Sequence, residues 1–415
     1  MKRIYGFVLG MLPFLAAVSC SKGYDGVYGD IAGRVDAPDA YESAVSDGGS
    51  GSEGGGQNGN SQAGRVTAGE WNDLDNWDFW SSLMLPVSGK GQEPQQEDYS
   101  GKADYWHFYT NNRVAVKVVD SKGNPVPGAV VSLERRGAEI WSTVSDNLGR
   151  AECWAGLFQK EENPGELQLK VDGVLRSDAP KVSGWDISQG AVYNEVVLTK
   201  VPEVKRNADI AFIVDATGSM ADEIDFLKDD LLDILNKTRN ENVTTSFRTA
   251  ALFYRDRGDE YVTRFSDFSF DFTTTTNFIS QQKADGGGDY PEAVHTALEV
   301  GMQSLSWDRN ARTKLAFLLL DAPAHQDQEG VIASLQKSVK LYAEKGIKII
   351  PIAASGVDKN TEFMLRFFAV STGGTYVFIT NDSRIGNDHI AATVGEYQVE
   401  LLNSLIIRLI NKYTE

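Results

Sequence analysis

Cysteine is nearly absent, with only Cys20 and Cys153 in 415 residues, so a disulfide-framed fold is not expected. Cys153 alternates with Ala151 and Ala155 in a strand-like stretch and reads as a small buried hydrophobe. Histidine is scarce too. His107, His295, His325 and His389 are scattered, with none of the His-Glu-x-x-His spacing that a helix-borne zinc site requires. No Gly-x-Ser-x-Gly elbow occurs, which removes the commonest serine-hydrolase arrangement. No Gly-x-Gly-x-x-Gly follows Asp215, and Gly286-Gly287-Gly288-Asp289 lacks the lysine of a phosphate loop, so no nucleotide is expected. Positive charge is in deficit, with 40 Lys and Arg against 58 Asp and Glu and a net charge of −18. That balance excludes the basic footprint that binds nucleic acid, and electrostatic docking on anionic lipid. Beyond residue 18 there is no apolar run long enough to span a bilayer.

What is present is a chain long enough for two or three domains, with 41% apolar and 10% aromatic residues to fill their cores. Its most informative stretch is Asp215-Ala216-Thr217-Gly218-Ser219, directly after the apolar run Ile210-Ala211-Phe212-Ile213-Val214. Such a run reads as a strand buried on both faces, as in a parallel sheet, and a helical pattern follows over about 222–237. One carboxylate and two hydroxyls at alternate positions therefore leave the carboxyl end of a central strand, where open α/β sheets bind ligands. Carboxylate and hydroxyl oxygens are what a hard divalent cation takes. A second apolar run, Leu315-Ala316-Phe317-Leu318-Leu319-Leu320, also ends in a carboxylate, Asp321. Between them, the glycine loop 286–288 and Asp289-Tyr290-Pro291-Glu292 open another helix. Strands and helices alternate to the C terminus, predicting a doubly wound sheet with helices on both faces.

In order and spacing these three pieces resemble the metal-ion-dependent adhesion site of von Willebrand factor A domains, whose pattern is Asp-x-Ser-x-Ser. Thr217 stands at the first serine and keeps its hydroxyl. The resemblance covers residues 204–415, and the glycine loop and Asp321-Ala322-Pro323 ending look most like the hemicentin-type branch. It implies a metal held by Asp215, Thr217, Ser219, Asp289 and Asp321, with Mg²⁺ as the expected ion and Ca²⁺ or Mn²⁺ as alternatives. Asp289 stands where the family usually has a neutral Thr, so the bound cation would meet a third negative charge. Asp256 and His325 are expected to line the same crevice, Asp256 within reach of a metal-bound water. The family implies a protein ligand held through the metal.

The N terminus has Lys2 and Arg3 before an apolar stretch over 4–18, the pattern of a signal peptide over 1–19. Ala17-Val18-Ser19-Cys20 resembles the bacterial lipobox, which implies lipidation of Cys20. Ser21 in place of Asp then implies an outer-membrane anchor. Residues 20–65 read as a Gly- and Ser-rich tether. Residues 66–108 form an aromatic-rich extension, in which Thr67-Ala68-Gly69-Glu70 matches a capping box opening a helix with Trp71, Leu74, Trp77 and Trp80 on one face. Packing is the expected role of that stripe, with sugar stacking as the alternative.

Over 109–203 the signals are β, with alternation at Val114, Val116 and Val118 and dense turn residues between short strands. This resembles the carboxypeptidase-regulatory-like, transthyretin-like module. The fold class is therefore a small β-sandwich followed by a doubly wound α/β von Willebrand A-type domain. The expected function is non-enzymatic: metal-dependent protein binding in the bacterial envelope. Two alternatives stay open, a scaffold that binds through the β-sandwich and a metal-dependent hydrolase.

Overall fold

The computed structural model describes residues 66–85, 97–160, 163–185, 192–383 and 388–415. The stretches expected to be signal segment and tether, and Cys20, lie outside them. Among the described residues no helix is long and apolar enough to cross a membrane.

The described chain begins with strand β1 (Thr67–Trp71), followed by helices α1 (Trp77–Met84) and α2 (Tyr99–Trp106). Thr67-Ala68-Gly69-Glu70, expected to open a helix, is instead extended. The indoles at the expected stripe do serve packing: Trp77 and Trp80 are buried on α1. Seven strands follow: β2 (Asn111–Asp120), β3 (Val130–Arg135), β4 (Ala138–Val144), β5 (Arg150–Gly156), β6 (Leu167–Val171), β7 (Val174–Leu175) and β8 (Tyr193–Leu198). They make a three-stranded sheet, β5-β2-β8, and a four-stranded sheet, β4-β3-β6-β7. Period-two alternation explains their common interior. Val114, Val116 and Val118 from β2 share one apolar cluster with Val131 and Leu133 from β3, Trp141 from β4 and Cys153 from β5.

The C-terminal half runs β9 (Lys205–Asp215), α3 (Ala221–Glu241), β10 (Ser246–Tyr254), β11 (Thr263–Ser269), α4 (Phe272–Ser280), α5 (Val294–Gln303), β12 (Ala311–Leu320), α6 (Val331–Glu344), β13 (Lys348–Ala353), α7 (Lys359–Thr372), β14 (Tyr376–Ile379), β15 (Glu400–Leu401) and α8 (Leu402–Thr414). Its mixed sheet has the order β11-β10-β9-β12-β13-β14-β1-β15. The strands from β10 to β14 are parallel, and β11, β1 and β15 pair antiparallel at the edges. Ile210, Phe212 and Val214 of β9 pack with α3, α4 and α8, whereas Ile213 faces the cluster built by α5, α6 and α7. Helices thus cover both faces, which is why β9 and β12 carry the continuous apolar runs 210–214 and 315–320.

The described residues 66–85 and 97–108 do not stand apart from this sheet. Gly69 pairs with Phe378 and Trp71 with Tyr376, so β1 extends the sheet beyond β14. The small sheets lie against the α6 and α7 side of the same core, where Phe108 stacks on Phe367 at 4.0 Å between ring centroids. Two buried guanidinium groups pin the connecting segment. Arg366 on α7 donates from Nε to Asp73 Oδ2 at 2.9 Å, and Arg113 on β2 pairs with Glu152 while donating to the Leu74 carbonyl at 3.1 Å.

Candidate functional site

β9 lies between β10 and β12, and the chain turns to opposite sides of it in sequence, so the sheet switches direction at its carboxyl end. In open α/β sheets that crevice receives ligands. Asp215 is the last residue of β9, and Asp321 directly follows β12, whose Leu319 is in register with Val214. Topology alone brings the two carboxylates together.

The turn after β9 is held from several sides. Thr217 donates to Asp215 Oδ1 from its backbone N–H at 2.9 Å and from its hydroxyl at 2.7 Å. The Ala216 carbonyl accepts from Asp285 N–H and from Arg255 Nε, and Gly218 N–H donates to the Gly286 carbonyl. The glycine loop therefore lies directly on the Asp215 turn. A Cβ at Gly287, where φ is +75°, would sit 3.1 Å from Glu292 Oε1 and 3.3 Å from Thr217 Cβ. Only glycine allows this approach without strain. Gly286 is as constrained, since its Cβ would lie 2.5 Å from the Asp259 carboxylate.

That carboxylate belongs to Arg257-Gly258-Asp259, which spells an integrin-binding tripeptide. Asp259 accepts from Asp256 N–H at 3.1 Å and from Gly287 N–H at 3.0 Å, fastening the loop after β10 to the glycine loop.

Asp215, Thr217 and Asp321 are buried, and Ser219 is exposed with its hydroxyl reaching Asp321. The structure adds two carboxylates that the sequence did not single out. Glu292, 3% exposed, lies at the head of α5, and Glu223, 1% exposed, in the first turn of α3. Glu223 accepts from the Ser355 hydroxyl at 3.1 Å. Each of the four carboxylates keeps one buried oxygen without a well-formed hydrogen bond: Asp215 Oδ2, Asp321 Oδ1, Glu223 Oε2 and Glu292 Oε2. The buried Tyr254 hydroxyl lies near Asp215.

Electrostatics show the consequence. Burial pushes Asp215 up to about 7, and the neighbouring Asp321 adds to the rise. Burial pushes Glu223 to about 7. Glu292 reaches about 9 through burial and the charges of Asp215, Asp256 and Asp321. Asp321 is raised by burial and moderated by Ser219.

Leaving a buried acceptor unmade costs about 1–3 kcal/mol, more for a charged one. Four such oxygens on three neighbouring loops are the donor chemistry of a hard divalent cation, which takes oxygen only. Asp215, Asp321 and Glu292 are close enough to feel one another's charge, although the four are not drawn together to within 4.8 Å as one ligand set. A cleft of about 680 Å³ opens elsewhere, between the small sheets and the amino-terminal end of β12, and none of these four carboxylates lines it. The site assignment therefore follows the carboxylates, not the cavity.

Asp289 is placed differently from Asp215. It is exposed, and its carboxylate groups with Asp256 and His325, all three ligand atoms within 4.8 Å of one another. Within this group His325 Nε2 and Asp256 Oδ1 are 2.8 Å apart. The buried second-loop carboxylate next to Thr217 is Glu292, three residues further on. Backbone pairing explains the difference: Glu292 N–H donates to the Pro323 carbonyl, drawing Glu292 against the Asp321 loop and leaving Asp289 at the rim.

Comparison with known proteins matches residues 209–367 to the von Willebrand factor A domain family. An alpha-protein kinase, vwkA, of Dictyostelium discoideum is 31% identical over 134 residues, 32% of this chain and 21% of that protein. A putative ariadne-like RING finger protein of Acanthamoeba polyphaga mimivirus is 36% identical over 95 residues, 21% of this chain and 9% of that protein. The chain thus spans a small part of the length of either relative. Among solved structures, a von Willebrand factor type A protein from Catenulispora acidiphila aligns at 14% identity and a TM-score of 0.35, covering 50% of this chain and 43% of its own. Residues 209–367, from within β9 to α7, are a von Willebrand factor A domain.

Proposed function

We propose that this chain binds a protein partner through a divalent cation held at the carboxyl ends of β9 and β12. The observation that carries this reading is the set of four buried carboxylate oxygens without a well-formed hydrogen bond, on Asp215, Asp321, Glu223 and Glu292. Asp215, Thr217, Ser219 and Asp321 are the proposed ligands kept from the sequence reading. Glu292 takes the second-loop position first expected of Asp289, and Glu223 with Ser355 supports the floor. Mg²⁺ is the expected ion, with Ca²⁺ and Mn²⁺ as alternatives, because every donor is oxygen. The chain's own residues fix the ion and exclude water from below. The exposed Ser219 and the glycine loop leave the upper side open to a partner's donor atom. With several carboxylates beneath it the cation is largely neutralised, which favours a neutral carbonyl or hydroxyl donor from the partner over an acidic one.

The same reading assigns the two small sheets to a carboxypeptidase-regulatory-like sandwich that carries the metal-binding domain. It assigns Cys20 to a lipid anchor at the bacterial outer membrane, with the glycine-rich segment as a tether. It treats the whole chain as a binding protein with no catalytic step.

The test is co-purification of cross-linked partners from the native envelope, with Mg²⁺ or with chelator, for the native chain and for Asp215→Ala. The expected result is a partner retained with Mg²⁺, released by chelator and absent from a folded Asp215→Ala variant. Retention unchanged by chelator and by the substitution would move the binding surface to the small sheets.

A further inference from the structure

We propose that Asp256, Asp289 and His325 form a second metal site at the rim of the crevice, selective for a transition-metal ion of the Zn²⁺ and Co²⁺ class. It is separate from the all-oxygen site around Asp215 and does not depend on that site being occupied.

The three residues come from three different loops: the one after β10, the glycine loop before α5, and the one after β12. Their ligand atoms already lie within 4.8 Å of one another. Around a tetrahedral ion with ligand distances of ~2.1 Å, ligand atoms sit ~3.4 Å apart. His325 Nε2 and Asp256 Oδ1 make a direct contact at 2.8 Å, which an ion entering between them would open by roughly half an ångström.

The exposure pattern is that of an open site with a fixed floor. His325 is 4% exposed, Asp256 is partly buried, and Asp289 stands at the solvent edge, where an ion enters. The Asp256 backbone is itself fixed, because its N–H donates to Asp259, which also holds the glycine loop that carries Asp289.

A second observation points to a ligand at this place. His295, in the first turn of α5, is 5% exposed, and its Nδ1 has no hydrogen-bond partner. Its Nε2 is already engaged, 3.2 Å from the Thr296 hydroxyl and 3.5 Å from Arg257, and the charges of Arg257, His325 and Asp256 act on the ring. The unpartnered Nδ1 is a buried nitrogen in the neighbourhood of the three ligands, outside their 4.8 Å set.

Donor chemistry separates the two sites. Imidazole nitrogen with carboxylate oxygen suits Zn²⁺, Co²⁺ and their neighbours, whereas Mg²⁺ and Ca²⁺ take oxygen alone.

The test is a Co²⁺ titration of the full-length, chelator-treated protein, with bound metal counted by equilibrium dialysis and the Co²⁺ visible absorption recorded. Four proteins are compared: the native chain, His325→Gln, Asp289→Asn and Asp215→Asn. Asp289 is exposed, so Asp289→Asn keeps the fold even if His325→Gln disturbs the loop. The expected result is that the equivalent giving nitrogen-ligated absorption weakens at least tenfold in Asp289→Asn and disappears in His325→Gln. Asp215→Asn leaves that equivalent in place. Competing Mg²⁺ displaces it poorly from the native chain. Co²⁺ stoichiometry and spectrum unchanged in both His325→Gln and Asp289→Asn would overturn the proposal, as would a single Co²⁺ equivalent that vanishes in Asp215→Asn. Loss of Mg²⁺ binding alone would count against the Asp215 site and leave this one standing.

Discussion

Asp73→Asn lowers the free energy of unfolding by about 3–5 kcal/mol, the range for breaking one side of a buried ion pair. Asp73 is 3% exposed and Arg366 is fully buried, and the guanidinium also donates to the Tyr99 hydroxyl at 2.9 Å. Removing the carboxylate charge leaves the buried cation, between α7 and the segment that links β1 to α1, with only Glu362 at 4.0 Å to balance it. Because β1 is the seventh strand of the main sheet, the loss is felt as global unfolding, not as release of an appendage. Chemical denaturation of both proteins measures it. The double variant Asp73→Leu/Arg366→Met should recover much of the loss, since an apolar pair of similar volume can replace a buried ion pair at little cost. A single-variant loss below about 1 kcal/mol would mean that the linking segment is not part of the cooperative core.

In chelator, stability falls as pH rises from about 4 to 9, and a bound cation reverses the trend. The sign follows from carboxylates whose folded-state values are raised above their unfolded values. Such groups contribute stability that is fully present below the unfolded value and is lost as pH rises through the folded one. Asp215 and Glu223 rise to about 7 and Glu292 to about 9, so the loss spans neutral pH and continues above it. With Mg²⁺ present the same carboxylates bind the ion more tightly as they deprotonate, so the stabilisation by metal grows over the same range. Thermal unfolding at pH 5, 7 and 8.5, with chelator and with Mg²⁺, gives both slopes. Parallel slopes in the two conditions would contradict the assignment.

Much of this architecture was legible because its strands are buried on both faces. The runs 210–214 and 315–320 read as parallel-sheet interior, and Asp215 and Asp321 mark their ends. The alternation of Val114, Val116 and Val118 likewise located β2. What failed did so where local signals were ambiguous. Thr67-Ala68-Gly69-Glu70 carries a helix-start pattern, yet its pairing with Tyr376–Ile379 lies some three hundred residues away in sequence, and that long-range contact decided its conformation. Helix α4 drew no expectation from the sequence. Asp271 caps it by accepting from Thr273 N–H at 3.0 Å, and Phe272, Thr275 and Ile279 turn inward.

Of the candidate site, the ends of two strands were readable and the acids of two helix starts were not. Acidic residues in a first helical turn are common for reasons of the helix dipole alone. Glu223 and Glu292 carried no signal beyond that until burial, and the loss of one hydrogen-bond partner each, set them apart. Asp289 drew notice because it stood in the expected loop, and the Glu292–Pro323 backbone bond then placed its neighbour in the buried position instead.

The central claim is that the four buried carboxylates exist to hold a cation. Its most direct test is isothermal titration of Mg²⁺ into the chelator-treated full-length protein and into Asp215→Asn at pH 8, with the unfolding midpoint followed in parallel. The account predicts saturable binding by the native chain, and about 2.7 kcal/mol of stabilisation at a hundredfold excess over Kd. It also predicts loss of both in Asp215→Asn, together with a higher midpoint for that variant than for the native chain in chelator, because one buried like charge is gone. Absence of Mg²⁺, Ca²⁺ and Mn²⁺ binding, with a midpoint unmoved by any of them, would contradict it.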